Sequence, residues 1–144
     1  MMTIAPIRII ALAACVILFT TSAYAESLSG TTGSAAGDRW QSSWLDLKSP
    51  ASFQKGEKLR IKVEGSAENV LVRLLPAKSP PDSSDGIEGR VRRVPPNGTL
   101  EVTLDRNHPD VKQISIHAGK EAWGTPLGAN NGTVKVVSIE RNAQ

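Results

Sequence analysis

The feature that most constrains this chain is strict two-residue alternation of apolar and polar side chains, recurring in short runs. Leu59, Ile61 and Val63 share one parity while Lys58, Arg60, Lys62 and Glu64 take the other. Leu100-Glu101-Val102-Thr103-Leu104 and Gln113-Ile114-Ser115-Ile116-His117 repeat the pattern. Successive strand side chains point to opposite faces, so each run describes a strand with one face buried and one wet. Val70-Leu71-Val72-Arg73-Leu74-Leu75 is apolar on both parities apart from Arg73 and reads as a central strand. Val91 to Val94 is a weaker candidate. In the last run Val134 and Val136 share one parity and Val137 and Ile139 the other. One inserted residue near Val136-Val137 would point all four inward, which predicts a β-bulge.

Turn-forming residues separate these runs, at Ser49-Pro50, Ser79 to Gly86, Pro95-Pro96-Asn97-Gly98, Arg106 to Asp110 and Gly124 to Gly132. Asn-Gly at 97–98 and 131–132 is favoured in tight turns because both residues tolerate positive φ. No stretch after residue 45 keeps a helical period. The expected fold is therefore all-β, an antiparallel β-sandwich of about seven to eight strands. Immunoglobulin-like and jelly-roll topologies both remain open.

The N-terminus reads as an address. Arg8 precedes an apolar run from Ile9 to Phe19, a polar Thr20-Thr21-Ser22, and the small-x-small exit Ala23-Tyr24-Ala25. That is the layout of a secretory signal peptide, 1–25, with the cut after Ala25 and a secreted or periplasmic product. The run is too short for a transmembrane anchor in the mature form. Leu12-Ala13-Ala14-Cys15 also fits a lipobox, so lipidation at Cys15 is the alternative. Residues 26–39, rich in Ser, Thr, Gly and Ala, are expected to form a flexible leader, and 40–144 the sandwich.

Cleavage leaves 119 of the 144 residues and removes Arg8, one of 17 basic side chains, so that 16 face 14 acidic ones and the net charge falls from +3 to +2. So small a surplus is no nucleic-acid signature. Cys15 is the only cysteine, which excludes a disulfide framework, a thiol nucleophile and a cysteine zinc site from the mature chain.

Candidate chemistry is sparse. His108 and His117 lack metal-ligand spacing, no Gly-x-Ser-x-Gly elbow occurs, and His117 falls on the polar parity of its strand, as an exposed residue would. The acids Asp82, Asp85 and Glu88 share a loop but do not match a calcium-binding pattern. Lys58, Arg60 and Lys62 should form a basic stripe, extended by Arg90, Arg92 and Arg93 if the strands are neighbours. No catalytic residue, metal site or cofactor is called for. The segment Gly119 to Gly132 is longer than a turn requires and carries Trp123 beside Lys120, Glu121, Asn130 and Asn131. An indole face stacks on the C–H face of a sugar while amides and charges bond its hydroxyls. Those five residues are the expected ligand-binding set; Trp123 could instead plug the sandwich end with Leu127. Trp40 and Trp44 read as core.

The run Phe53-x-Lys55-Gly56-Glu57-x-Leu59-x-Ile61, with Gln113 to His117, Trp123-Gly124 and Asn131-Gly132, resembles the small secreted β-sandwich modules of bacteria, including those attached to carbohydrate-active enzymes. The resemblance implies a non-catalytic binding or accessory domain with a polysaccharide as ligand. The alternative functions are an envelope protein–protein interaction module, its partner held by edge-strand pairing, and a small hydrolase.

Overall fold

The computed structural model describes residues 25–128 and 132–142, so of the expected ligand set Asn130 and Asn131 lie outside the described residues. Eleven strands follow in chain order: β1 (Ala25–Ser27), β2 (Gly30–Ala36), β3 (Trp40–Phe53), β4 (Lys58–Glu64), β5 (Asn69–Pro76), β6 (Ile87–Arg93), β7 (Thr99–Thr103), β8 (His108–Gly119), β9 (Glu121–Ala122), β10 (Thr125–Pro126) and β11 (Lys135–Asn142). A four-stranded sheet runs β1-β11-β4-β7 and a five-stranded sheet β2-β3-β8-β5-β6, with β9 and β10 as a separate hairpin. Every pair is antiparallel.

The pairings nest around the β5–β6 connection: β4 with β7, β3 with β8, and β1 with β11. A long hairpin folded over on itself in this way is a jelly roll, which resolves the topology that the alternating runs left open. Inward side chains of the two sheets meet as expected. Leu59, Ile61 and Val63 of β4, Leu100 and Val102 of β7, and Val136 and Ile139 of β11 pack against Val70, Val72 and Leu74 of β5 and Ile114, Ile116 and Ala118 of β8.

Four expectations are corrected. The register between β11 and β4 does shift between Val136 and Ser138, but the extra residue, Val137, is 41% exposed rather than buried. Looping Val137 out is what keeps Val136 and Ile139 on the inner face. Arg90, Arg92 and Arg93 lie on β6, in the other sheet from Lys58, Arg60 and Lys62, so they cannot extend that stripe. Asn97-Gly98 closes no hairpin. It turns the chain from β6 in one sheet to β7 in the other, with Gly98 at φ 72° and its N–H on the Pro95 carbonyl at 2.9 Å. Finally, the segment read as a flexible leader carries β1 and β2, which pair with β11 and β3 along their lengths. Its residues are nearly all exposed, so no apolar alternation marks it; the backbone ladder holds it in place.

Candidate functional site

The outer face of the five-stranded sheet is where unusual side chains gather. The register aligns them in cross-strand rows: Ala35, Ser42, His117 and Leu71 in one, and Gly33, Trp44, Ser115 and Arg73 in the next. A third row holds Thr31, Asp46, Gln113 and Leu75. Over these rows lies a cleft of about 650 Å³. Trp40 and Trp44 line it on the β3 side and Trp123 and Asp82 on the β5 side, with Gln113 and His117 between them. All three tryptophans of the chain therefore face one space.

Glycines in β2 and just past its end create the room for two of them. A Cβ on Gly33 would fall 2.6 Å from Nε1 of Trp44, and one on Gly37 would fall 2.4 Å from Nε1 of Trp40. The indoles lie across the edge strand where only hydrogen occupies the side-chain position. Trp40 stays 45% exposed and Trp44 half-buried, which corrects the reading of both as core. Period two assigns a residue to a face; it does not say whether that face is covered.

Trp123 reaches the cleft from the opposite side. It occupies the turn of the β9–β10 hairpin, where Ala122 pairs with Thr125, with Trp123 at φ 46° and Gly124 at φ 75°. Two successive positive φ values make a type I′ turn. A bulky residue in the first of them costs on the order of 1–3 kcal/mol, which surrounding contacts must offset. Those contacts are specific. The Trp123 ring sits edge-on to His117 at 4.3 Å between centroids, takes the Arg73 guanidinium at 5.0 Å, and donates from Nε1 to the Asp82 carbonyl at 3.1 Å. The ring lies over the sheet face and is 39% exposed, so it does not plug the sandwich end; Leu127 packs separately with Leu71 and Ala122.

Beneath Trp123 is a buried polar network. Arg73 is 3% exposed. Its Nε donates to Ser115 Oγ at 3.1 Å, Nη1 to the carbonyls of Pro81 (3.0 Å) and Ser83, and Nη2 to Gln113 Oε1 at 3.3 Å. Four of the five guanidinium N–H groups are thus engaged, so Arg73 braces the loop that carries Asp82 rather than offering a cation to a ligand. Gln113 Nε2 in turn donates to Asp46 at 2.9 Å. Ser115 Oγ, which accepts from Arg73, is also hydrogen-bonded to His117 Nε2, 2.8 Å away. Burial, and then the Arg73 charge, push the His117 pKa down to about 3. The expectation of an exposed histidine is therefore corrected: His117 is buried, because Trp123 covers it.

A serine and a histidine in contact invite comparison with a nucleophile and its base. Ser115 is fully buried, lies outside the cleft lining, and meets an imidazole too acidic to take a proton at neutral pH. The pair does structural work.

The other expected site residues divide. Glu121 lines the cleft and pairs with Arg39 at 3.2 Å. Lys120 is exposed and does not line it; its backbone N–H binds the Arg39 carbonyl at 2.7 Å. Of the acids expected to share a loop, Asp82 reaches the cleft, whereas Glu88 lies on β6, fully buried against His108 and the Asp105 N–H. The basic stripe on β4 is largely neutralised by Lys58–Glu101 and Arg60–Glu140 pairs.

No protein-family model matches the sequence, and no curated protein matches it. Among solved structures, the chain is similar to a selenomethionine-labelled mutant of chitosan-binding module 1 from a chitosanase/glucanase of Paenibacillus sp. IK-5. That match has 16% identity and a TM-score of 0.48, over 78% of this chain and 76% of the other. Another structure of the same module aligns at 17% identity and TM-score 0.41, over 80% and 78%. At these values the case for a ligand rests on the cleft itself.

Proposed function

We propose that this chain is an exported, non-catalytic carbohydrate-binding domain whose ligand lies in the cleft of Trp40, Trp44 and Trp123. The convergence of all three indoles on one open space carries the reading. Exposed aromatic faces in a cleft of this size match the apolar C–H faces of sugar rings. Asp82, Gln113, His117 and Glu121 border the same space and supply acceptors and donors for hydroxyls. Export is supported by the apolar leader and the small-x-small exit at Ala25, immediately where β1 begins.

Titration of the purified chain with soluble polysaccharides, chitosan and neutral β-glucans among them, tests the proposal. Tryptophan emission should be quenched with saturation, and Trp40→Ala should weaken binding at least tenfold while leaving the melting temperature within a few degrees. Absence of any response across the panel, or an unchanged affinity in both Trp40→Ala and Trp44→Ala, overturns it.

A further inference from the structure

A sandwich of two sheets has four edges, and three of these are blunted. On one sheet, β1 is three residues long and carries Glu26, and β7 is five residues long with Glu101 at its centre. On the other, β6 carries Arg90, Arg92 and Arg93 and pairs with β5 through a register shift. Short, charged or irregular edges resist pairing with another chain. The remaining edge, β2, has the sequence Gly-Thr-Thr-Gly-Ser-Ala-Ala: seven residues, no charge and no proline. It pairs with β3 in unbroken register, so its free side is straight.

The direction of its free groups can be worked out. Gly37 N–H bonds the Trp40 carbonyl and Lys48 N–H bonds the Ser29 carbonyl, so odd-numbered residues of this strand bond towards β3. In an antiparallel ladder the alternate residues point their N–H and C=O the other way. Among the described residues, Gly30, Thr32, Ser34 and Ala36 therefore present a row of unpaired donors and acceptors outward.

We infer that two copies of this chain pair β2 to β2 about a twofold axis at Gly33, joining their five-stranded sheets into one. Antiparallel self-pairing sets Thr32 opposite Ser34 of the second copy and Gly30 opposite its Ala36, for about eight new backbone hydrogen bonds. Gly33 then faces itself in a non-hydrogen-bonded pair, where Cα atoms approach to about 4.5 Å. Trp44 lies directly on Gly33, so the indoles of the two copies meet at the axis and shelter apolar surface that a single copy leaves open. A twofold normal to the sheet keeps both clefts on the same side. Trp40 and Trp44 of one copy and their equivalents in the other form a continuous aromatic row. The dimer stands independently of what the cleft binds; only its consequence for polymers rests on the carbohydrate reading.

Sedimentation velocity of the mature chain without ligand is the primary test, with a dimer expected at micromolar concentrations. Ser34→Pro removes an outward N–H and leaves the β2–β3 ladder whole, so it should give a monomer with an unchanged far-ultraviolet spectrum and melt. Should that variant misfold, charge supplies a second route. Thr32→Asp with Ser34→Asp sets carboxylates opposite one another and should dissociate the dimer, and mixing with Thr32→Lys/Ser34→Lys chains should restore a heterodimer. A monomeric wild-type chain at all concentrations, or a dimer that survives both sets of changes, overturns the inference. For a polysaccharide ligand, the monomeric variant should keep its affinity for a short oligosaccharide and lose tenfold or more for the polymer. If the wild type dimerises but no saccharide binds, the dimer stands and the ligand reading fails.

Discussion

At the scale of single residues, the site is built by side chains that act on one another before they act on a ligand. Trp123 accepts an unfavourable φ of 46° because its ring then closes on Arg73, His117 and the Asp82 carbonyl. Two substitutions separate backbone from ring. Trp123→Asn and Trp123→Ala lose the same aromatic contacts, but asparagine tolerates the left-handed region. Thermal or urea melts should therefore place Trp123→Asn above Trp123→Ala by about 0.5–1 kcal/mol, while both lose saccharide binding. Equal stabilities would mean that the turn stores no strain. His117 yields a prediction in pH. Its folded pKa of about 3 lies below the 6.5 of an ordinary imidazole, so between those limits the unfolded chain binds a proton that the folded chain refuses. Stability is complete above about pH 6.5 and falls as the solution is acidified. From pH 6 to pH 5, where carboxylates barely titrate, this one group contributes a slope approaching about 1.4 kcal/mol per pH unit. His117→Gln should flatten the slope in that window, measured as urea-unfolding free energy against pH.

At the scale of strands and turns, the alternating runs were readable wherever one face of a strand is greasy and the other is not. β4 and β7 follow that rule, and their inner residues are the buried ones; the central part of β8 alternates in sequence but is buried on both faces, because Trp123 and Arg73 cover its outer side. The bulge in β11 was legible too, because a change of parity has no other cheap explanation in a half-buried strand. What the pattern could not assign was which valine is looped out. A matched pair of substitutions checks the placement: Val137→Lys should shift the unfolding free energy by no more than about 0.5 kcal/mol, whereas Ile139→Ala should cost about 2–5 kcal/mol. The edge strand β2 was illegible for a physical reason. Its role is to be small beneath two indoles, and small polar residues look the same in a linker as in such a strand. Gly33→Ala tests that role directly. The added methyl group would meet the Trp44 indole, so saccharide affinity should drop several-fold in fluorescence titration, with less effect on the melt than on binding. Undiminished affinity would show that Trp44 can relocate without loss.

At the scale of the whole molecule, the jelly-roll nesting explains why the cleft includes parts distant in sequence. Folding the long hairpin over brings β3 beside β8 and β8 beside β5, so Trp44, Ser115 and Arg73 become neighbours in one row. Trp123 is legible through its long loop, but Trp40 and Trp44 read as interior, since nothing local tells an outward aromatic from an inward one. Residues 26–39 likewise read as separable from the domain by composition, yet the fold ties them into it. Leu28 packs against the main core, β1 extends one sheet, and β2 extends the other beneath the tryptophans. A mature chain shortened to begin at Asp38 should therefore still be a β-sandwich by circular dichroism, because the central strands and most of the core residues remain. It should melt at lower temperature than the chain from Glu26, and the indoles of Trp40 and Trp44 should become more accessible to acrylamide. Saccharide binding should weaken with them, since the two rings would lose the strand that fixes their orientation. A shortened chain with unchanged melt, quenching and affinity would return the segment to the status of a linker and leave Trp123 alone as the aromatic platform.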